Sequence, residues 1–311
     1  MIKSAQQPLR VEYLAGYGLE VPDLDVATAF YGAFGLASEA RDQSVCLHSL
    51  QSRSGPPNIV LLKGSAKRLH HLSFAIRDTD VVAFAERLTE TGVPPKTPPF
   101  GAIREGLWFE DHWGTWINLV PVKTEPPLLE LPPQVVHARV DRHYWQELPR
   151  DIKPNRLGHM LMFTHDYDRA ESFFCDVLGL RIADRVPGKV AFLAGGTGIR
   201  DHHCFGLIPS THRGFQHSSF HVESVDAIGF GAMQMRKAGY TEGFGLGRHA
   251  LASNLFYYVR DPWGSWVEYY SDMDKISEAW KMRDWNGLPY IWPDWAPEFW
   301  GKEMNGNFEP R

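Results

Sequence analysis

The chain has 311 residues, of which 43% are hydrophobic and 22% charged, and its formal net charge is −5. This composition is typical of a folded globular protein, and the length favours two domains. The acidic balance gives no electrostatic reason to expect binding to nucleic acid or to an anionic membrane. The N-terminal stretch lacks the apolar core of a signal peptide, and no run approaches the roughly 18 apolar residues of a membrane span. Three cysteines without CxxC spacing favour a reducing, cytoplasmic compartment over a disulfide framework.

Two halves of the chain resemble one another. Residues 113–118 read WGTWIN and residues 263–268 read WGSWVE, and an aspartate stands two residues before each, at Asp111 and Asp261. The segment HLSFAIRDTD from His71 resembles HSSFHVESVD from His217. These matches predict a duplicated unit over roughly residues 10–122 and 155–271. The alternative, two unrelated α+β domains, requires the matches to be coincidence.

Each half divides into two modules of about 55 residues with the predicted order β-α-β-β-β. In the third module, His159, Leu161 and Phe163 share one face of the opening strand. The helix that follows is predicted to have Asp168 as its N-cap and to stop at Gly179. We therefore predict an α+β fold of four βαβββ modules, paired into two homologous domains that are each an open, barrel-like sheet around a cavity.

The predicted domain boundaries follow from this repeat. An N-terminal domain covers residues 1–122, a proline-rich connector 123–154, a C-terminal catalytic domain 155–275, and a Trp- and Pro-rich tail 276–311. The tail holds five of the 11 tryptophans, at Trp280, Trp285, Trp292, Trp295 and Trp300. Two interpretations of the tail stay open: simple packing on its own domain or a subunit contact, and a lid over the pocket mouth.

The C-terminal half offers a set of potential metal ligands, His159, His217 and Glu268, all on predicted strands. Because side chains alternate between the faces of a strand, all three can point into one cavity. Two imidazoles and one carboxylate on one side of a metal leave the opposite positions open, as in non-haem Fe(II) oxygenases. A histidine on a strand also has a plain structural interpretation, as a hydrogen-bonded core residue.

The N-terminal half lacks this set. At the matching positions it has Asn118 for the carboxylate, Gly16 or Tyr17 for the first imidazole, and His71 for the second. A full set in one half and a remnant in the other is the pattern expected if only the C-terminal half binds metal. The N-terminal domain is thus predicted to carry a degenerate site.

The segment from His249 has the most specific pattern in the chain. After eight residues comes Tyr258, after two more Asp-Pro-x-Gly at 261–264, and after three more Glu268. This pattern resembles the signature of the type I extradiol (catechol-cleaving) dioxygenases of the vicinal oxygen chelate superfamily. The resemblance covers about residues 10–271, and Tyr257 departs from it because the family usually has an aliphatic residue or Phe there.

The resemblance implies specific roles. His159, His217 and Glu268 are expected to bind Fe(II), with Mn(II) as the rarer option. His203 matches the family's acid–base histidine, and Tyr258 and His249 match hydrogen-bond partners of the substrate. The expected reactants are a catechol-type diol and O₂, and family members are commonly homo-oligomers. The neighbouring residue 202, also a histidine, is expected to point to the other face and to be structural.

Two rival functions stay open from the sequence. One is another metalloenzyme of the superfamily, a lyase, isomerase or thiol transferase. The other is a non-catalytic protein that binds a small aromatic molecule.

Overall fold

The computed structural model describes residues 8–123 and 150–286, and most of their strands belong to two mixed sheets. The N-terminal half forms a seven-stranded sheet with the spatial order β2-β3-β4-β1-β5-β7-β6. Its elements in chain order are β1 (Tyr13–Val21), α1 (Leu24–Ala33), β2 (Ala37–Arg41), β3 (Ser44–His48), β4 (Ile59–Lys63), β5 (Arg68–Arg77), a 3-10 turn (Asp78–Asp80), α2 (Val81–Glu90), β6 (Leu107–Glu110) and β7 (Trp116–Val122).

The C-terminal half forms a nine-stranded sheet with the order β14-β15-β16-β13-β8-β12-β10-β9-β18, and β11 and β17 pair separately. Its elements are β8 (Arg156–Thr164), α3 (Tyr167–Asp176), β9 (Arg181–Val186), β10 (Val190–Ala194), β11 (Arg200–Asp201), β12 (Phe205–Pro209), β13 (Gly214–His221), α4 (Val225–Lys237), β14 (Gly243–Arg248), β15 (Leu255–Arg260), β16 (Trp266–Ser271), β17 (Lys275–Ile276) and β18 (Arg283–Asp284).

The seven strands of the N-terminal sheet recur in the same spatial order in the C-terminal sheet, which has β14 and β18 in addition, and this confirms the predicted α+β fold of paired modules. In each half the first strands of the two modules pair antiparallel, β1 with β5 and β8 with β13. The second module differs from the prediction, because only two strands follow its helix α2. The segment that would form the missing strand, 93–106, contains four prolines, which donate no ladder hydrogen bonds. Of the backbone N–H groups in this segment, that of Lys96 alone bonds to the sheet backbone, at 2.7 Å from the carbonyl oxygen of Trp108.

The start of helix α3 also differs from the prediction. The N-cap position is occupied by Asp166, and Asp168 lies in the first helical turn. The Asp166 carboxylate does not cap the helix and instead accepts hydrogen bonds from Trp113 Nε1 at 3.3 Å and from Arg169 at 3.1 Å. Asp168 still has a favourable position, because a negative charge in the first turn complements the helix dipole. The stop at Gly179 is confirmed by its positive φ of 73°.

A reciprocal pair of ion contacts joins the two halves. Asp261 of the C-terminal half accepts a hydrogen bond from Lys67 of the N-terminal half, and Asp111 of the N-terminal half accepts one at 2.7 Å from Arg213 of the C-terminal half. Each basic residue directly precedes the first strand of its half's second module, β5 or β13. The second oxygen of each aspartate accepts two backbone N–H groups of its own turn. The repeated aspartates therefore hold both a turn and a contact between the halves.

The described part of the tail packs on the C-terminal sheet. Trp280 Nε1 donates to the carbonyl oxygen of Ala183 at 2.9 Å, and Trp285 packs against an apolar cluster of the C-terminal half. Trp292, Trp295 and Trp300, like most of the predicted connector, lie outside the described residues. Over the described ranges, every helix is too short or too polar to cross a membrane.

Candidate metal centre

The predicted ligands lie on three neighbouring strands of the C-terminal sheet. In register, His159 of β8 stands opposite Ser219 of β13, and Ser219 stands opposite Glu268 of β16. His217 lies two residues before Ser219 and therefore shares its face. Since strands are about 4.8 Å apart, His159 and Glu268 begin roughly 10 Å apart and lean together over the small side chain of Ser219. The sheet thus brings the three predicted ligands together in a space that a serine leaves open.

The distances between these groups fit a single cation. Each residue offers a ligand atom, and these atoms lie within 4.8 Å of one another. Glu268 Oε2 is 3.2 Å from His159 Nε2 and 3.7 Å from His217 Nε2. Bonds of about 2.0–2.2 Å to one ion place adjacent ligand atoms about 3 Å apart. Among the described residues, Oε2 accepts no hydrogen bond although it is fully buried. A buried carboxylate oxygen rarely goes without a partner, so a cation suits this position.

The electrostatics of the site keep His217 and Glu268 in their metal-binding forms. Burial lowers the pKa of His217 to about 3, so its imidazole is neutral at pH 7. Burial opposes ionisation of Glu268, but the contacts with His159 and His249 outweigh it and leave the pKa of Glu268 lowered. A neutral imidazole and an ionised carboxylate are the forms that bind a metal. The site is therefore prepared for a cation at neutral pH.

Two residues that sequence reasoning missed hold the ligands in place. The side-chain oxygen of Gln216 accepts a hydrogen bond from His217 Nδ1, which leaves Nε2 as the lone-pair nitrogen that faces Glu268. Asn254 Nδ2 donates to Glu268 Oε1 at 3.2 Å. Gln216 directly precedes a predicted ligand, which is a weak signal. Asn254 gives none, because it enters through a loop in which the preceding residues, Ala252 and Ser253, adopt positive φ angles.

Tyr258 and His249 flank the second oxygen of Glu268. Tyr258 stands directly opposite Glu268 in the ladder between β15 and β16, and its ring meets that of His217 edge to face, with centroids 5.4 Å apart. His249 Nε2 lies 3.2 Å from the Tyr258 hydroxyl and 3.6 Å from Glu268 Oε1. Burial, followed by the charge of Glu268, raises the pKa of Tyr258 well above its usual value. The tyrosine is therefore a protonated donor at neutral pH.

His203 lies on the other side of the group, in the segment between β11 and β12. Its ring centroid is 4.4 Å from that of His159 and 4.6 Å from that of Phe192. Burial and the neighbouring imidazoles lower its pKa well below the usual value. His202 contacts Asp184 and Trp280 rather than the three ligands. All six predicted site residues thus surround one buried position.

An apolar wall continues from the candidate ligands. The alternation inferred for β8 is confirmed, since Leu161 and Phe163 belong to a cluster on the face of His159 while Met160 and Met162 join the main core. The remaining members of this cluster are Val186, Val190, Ile208, Leu251, Phe256, Tyr258 and Trp266, with Phe192, Phe244, Ala250 and Trp285 packed against it. Such a surface suits an aromatic ring rather than a strongly charged ligand.

The same row in the N-terminal half explains the missing ligands there. The register matches His159 with Gly16, because Gly16, Ser73 and Asn118 stand opposite one another on β1, β5 and β7. A Cβ at Gly16 would lie 2.5 Å from the carbonyl oxygen of Pro57, so no side chain fits there. Trp108 stands opposite Asn118 and packs against the ring of the remaining histidine, 5.0 Å away. In the N-terminal half, the indole of Trp108 therefore lies beside the positions that correspond to the ligands.

The structure combines paired βαβββ modules with a buried group of two histidines and one carboxylate. These two features define a class of proteins that can bind a single metal ion. Residues 156–269 match the model of the Glyoxalase/Bleomycin resistance protein/Dioxygenase superfamily. The chain is 37% identical over 293 residues to metapyrocatechase 2 of Cupriavidus necator, covering 91% of this chain and 88% of that protein. It is 26% identical over 167 residues to an iron-dependent extradiol dioxygenase of Rhodococcus jostii, covering 50% of this chain and 53% of that protein. The chain belongs to the extradiol dioxygenase family of this superfamily.

Solved structures agree on the fold. The Mn(II)-bound glyoxalase from Novosphingobium aromaticivorans superposes with a TM-score of 0.74 at 20% identity, covering 97% of this chain and 98% of that one. The 2,3-dioxygenase LapB from Pseudomonas sp. KL28 superposes with a TM-score of 0.72 at 19% identity, covering 89% of this chain and 98% of that one. The two-sheet architecture is therefore shared by enzymes of different chemistry, and the choice among them depends on the site.

Proposed function

We propose that this protein is an extradiol dioxygenase that opens the ring of a catechol-type diol with O₂ at one Fe(II) ion. His159, His217 and Glu268 would hold the ion. The observation that carries the proposal is the buried row in which Glu268 Oε2 faces two imidazole nitrogens at 3.2 and 3.7 Å. The 37% identity to metapyrocatechase 2 along 91% of the chain supports the same reaction class. A bound iron would supply electronic contact between the diol and O₂ and favour the deprotonated diol.

The protein groups then bind, orient and exchange protons. The apolar wall that includes Phe256 and Trp266 would hold the aromatic ring and exclude water. Holding the diol beside the metal would keep the reactants in a productive orientation, which lowers the entropic cost of the reaction.

His203 is the proposed acid–base group. It is buried against His159, and its lowered pKa leaves the imidazole neutral at neutral pH, with one unprotonated ring nitrogen. A positioned acid–base group contributes about 10²–10⁴ in rate.

Tyr258 and His249 are the proposed hydrogen-bond partners of the substrate. The Tyr258 hydroxyl stays protonated because its pKa is raised, and it lies 3.2 Å from His249 Nε2. The pair would hold the substrate oxygen on the side of the centre opposite to His203. A protonated hydroxyl and a neutral imidazole can together donate to that oxygen and accept from it.

The test is anaerobic loading with Fe(II), followed by a panel of substituted catechols and measurement of O₂ uptake together with the coloured ring-opened product. One O₂ consumed for each diol opened supports the proposal, and an isomerase or a binding protein would consume none. Mn(II) loading in parallel identifies the effective metal. Light scattering of the same preparation measures the oligomeric state, for which we propose a homo-oligomer.

Three variants separate binding from chemistry. His203→Ala should keep the iron and lose about 10²–10⁴ in turnover. Glu268→Ala should lower iron occupancy. The matched control is His71→Asn, which changes the buried N-terminal counterpart of His217 and should keep both iron and turnover. Full iron in Glu268→Ala would remove that residue from the ligand set, and unchanged turnover in His203→Ala would refute its acid–base role.

A further inference from the structure

A chain of three buried polar side chains ends at the proposed acid–base histidine. His202 Nε2 lies 3.2 Å from Asp184 Oδ2, and His202 Nδ1 lies 3.2 Å from His203 Nδ1. All three residues are at most 3% exposed. Asp184 comes from β9, so the chain connects the sheet to the segment that carries both histidines.

The tail fixes the first member of this chain. The backbone N–H of Arg283 donates to Asp184 Oδ1 at 2.8 Å, and the ring of Trp280 meets that of His202 edge to face, with centroids 5.5 Å apart. The strand β18 pairs with β9 at this position. Asp184 Oδ1 is thus engaged by the tail, and only Oδ2 is directed to the histidine.

For a neutral His202 beside an ionised Asp184, these contacts determine which nitrogen carries each proton. An ionised carboxylate only accepts hydrogen bonds, so His202 must donate from Nε2. A neutral imidazole has one donor and one acceptor nitrogen, so His202 Nδ1 then accepts from His203 Nδ1. The remaining nitrogen of His203, Nε2, is left with its lone pair. No local pattern in the chain connects Asp184 with this pair, because 18 residues separate it from His202.

We propose that Asp184 and His202 are positioning residues that hold His203 in the tautomer with an unprotonated Nε2. In that tautomer His203 can take a proton from the diol as it binds and return it later. The tail contributes to this positioning through one group, the backbone N–H of Arg283, which holds the aspartate. This inference rests on the proposed function for its catalytic consequence, but the tautomer itself can be measured without catalysis.

The first test is an NMR measurement on the full-length, metal-free protein with ¹⁵N-labelled histidine. Long-range proton–nitrogen spectra distinguish protonated from unprotonated ring nitrogens, and the His203→Gln variant assigns the signals. We expect His203 to carry its proton on Nδ1. A proton on Nε2 would overturn the proposal, and this measurement needs no variant of the positioning residues to fold.

The second test is Asp184→Asn. Since Arg283 N–H still requires an acceptor, the amide oxygen stays with the tail and the amide NH₂ faces His202. The whole chain of donors should then reverse, so that His203 carries its proton on Nε2. We expect kcat to fall about 10–100-fold, the range for loss of a group that orients a functional histidine, with iron content and KM for the diol unchanged. An unaltered tautomer or an unaltered kcat would refute the assignment.

The third test is a double variant, His203→Ala with Asp184→Asn. If Asp184 acts through His203, the second change should cost nothing further once His203 is absent, whereas a structural role would add its own loss. Asp284→Asn is the matched control, because this exposed carboxylate lies on the same pair of strands and, among the described residues, pairs with Arg185. It should leave kcat unchanged. Absence of O₂ uptake by the wild type would refute the proposed function, and the NMR result would still decide the hydrogen-bond chain.

Discussion

Replacement of Lys67 by Met tests the contact between the two halves. Lys67 and Asp261 are 1% and 5% exposed, so the change leaves a buried carboxylate without its cation. Removing one partner of a buried ion pair costs about 3–5 kcal/mol. The lower end, about 3 kcal/mol, applies because Asp261 Oδ1 still accepts two backbone N–H groups. Methionine keeps the length of the aliphatic stem, so little of this cost is lost packing.

The assay is urea unfolding of the metal-free protein, because a bound metal would add its own stabilisation. With an m value of about 3 kcal/mol/M, the midpoint should fall by about 1 M. Lys96→Met is the matched control, since its pair with Glu110 is 45% and 30% exposed and should contribute below about 1 kcal/mol. Adding Asp261→Asn to Lys67→Met should recover part of the loss. Equal midpoints for the two lysine variants would refute this reasoning.

Three further predictions concern single side chains. Gln216→Ala removes the acceptor for His217 and should weaken metal binding about 10–100-fold in a chelator competition. Gln216→Glu should largely retain the metal affinity. Equal affinities for the wild type and both variants would contradict this prediction. His71, whose pKa burial lowers to about 3, binds a proton more readily in the unfolded chain, so stability should fall by up to about 1.4 kcal/mol per unit as pH drops from about 6.5 to 3. Acid unfolding of His71→Gln should show a shallower pH slope, and an identical slope would argue against this origin. Gly158→Ala places a Cβ 2.2 Å from the Tyr270 hydroxyl and should lower thermal stability, so an unchanged melting temperature would show that the strand shifts freely.

Much of the site could be predicted from two patterns in the sequence. One is the alternation of side chains along a strand, and the other is the internal repeat. Alternation along β8 put His159 on the face of Leu161 and Phe163, and this face is the cavity wall. The internal repeat separated a half with three potential ligands from a half with one. Which N-terminal residue matched His159 stayed open between Gly16 and Tyr17 until the strand register placed Gly16 beside Ser73.

What the sequence did not reveal depends on contacts between distant segments. Asn254 reaches Glu268 from a loop, and Lys67 reaches Asp261 across 194 residues. Neither distance leaves a periodic or local pattern in the chain. The aspartate before each WGxW segment is visible in the sequence only as part of the repeat, although its carboxylate also contacts the other half. The missing strand of the second module was readable in principle, because four prolines between residues 93 and 106 exclude a regular ladder.

The crossed ion contacts have a consequence for how this chain is built. Lys67 pairs with Asp261, and its counterpart Arg213 pairs with Asp111. Each half therefore contributes one basic residue and one aspartate to the contact. An isologous homodimer makes contacts of this kind, in which one patch meets its own copy around a twofold axis. The polypeptide therefore has the geometry of two half-length subunits fused end to end, with the connector in place of free termini. The N-terminal half, in which Gly16 and Asn118 stand at the positions of His159 and Glu268, is thereby held as a covalently attached partner of the other half.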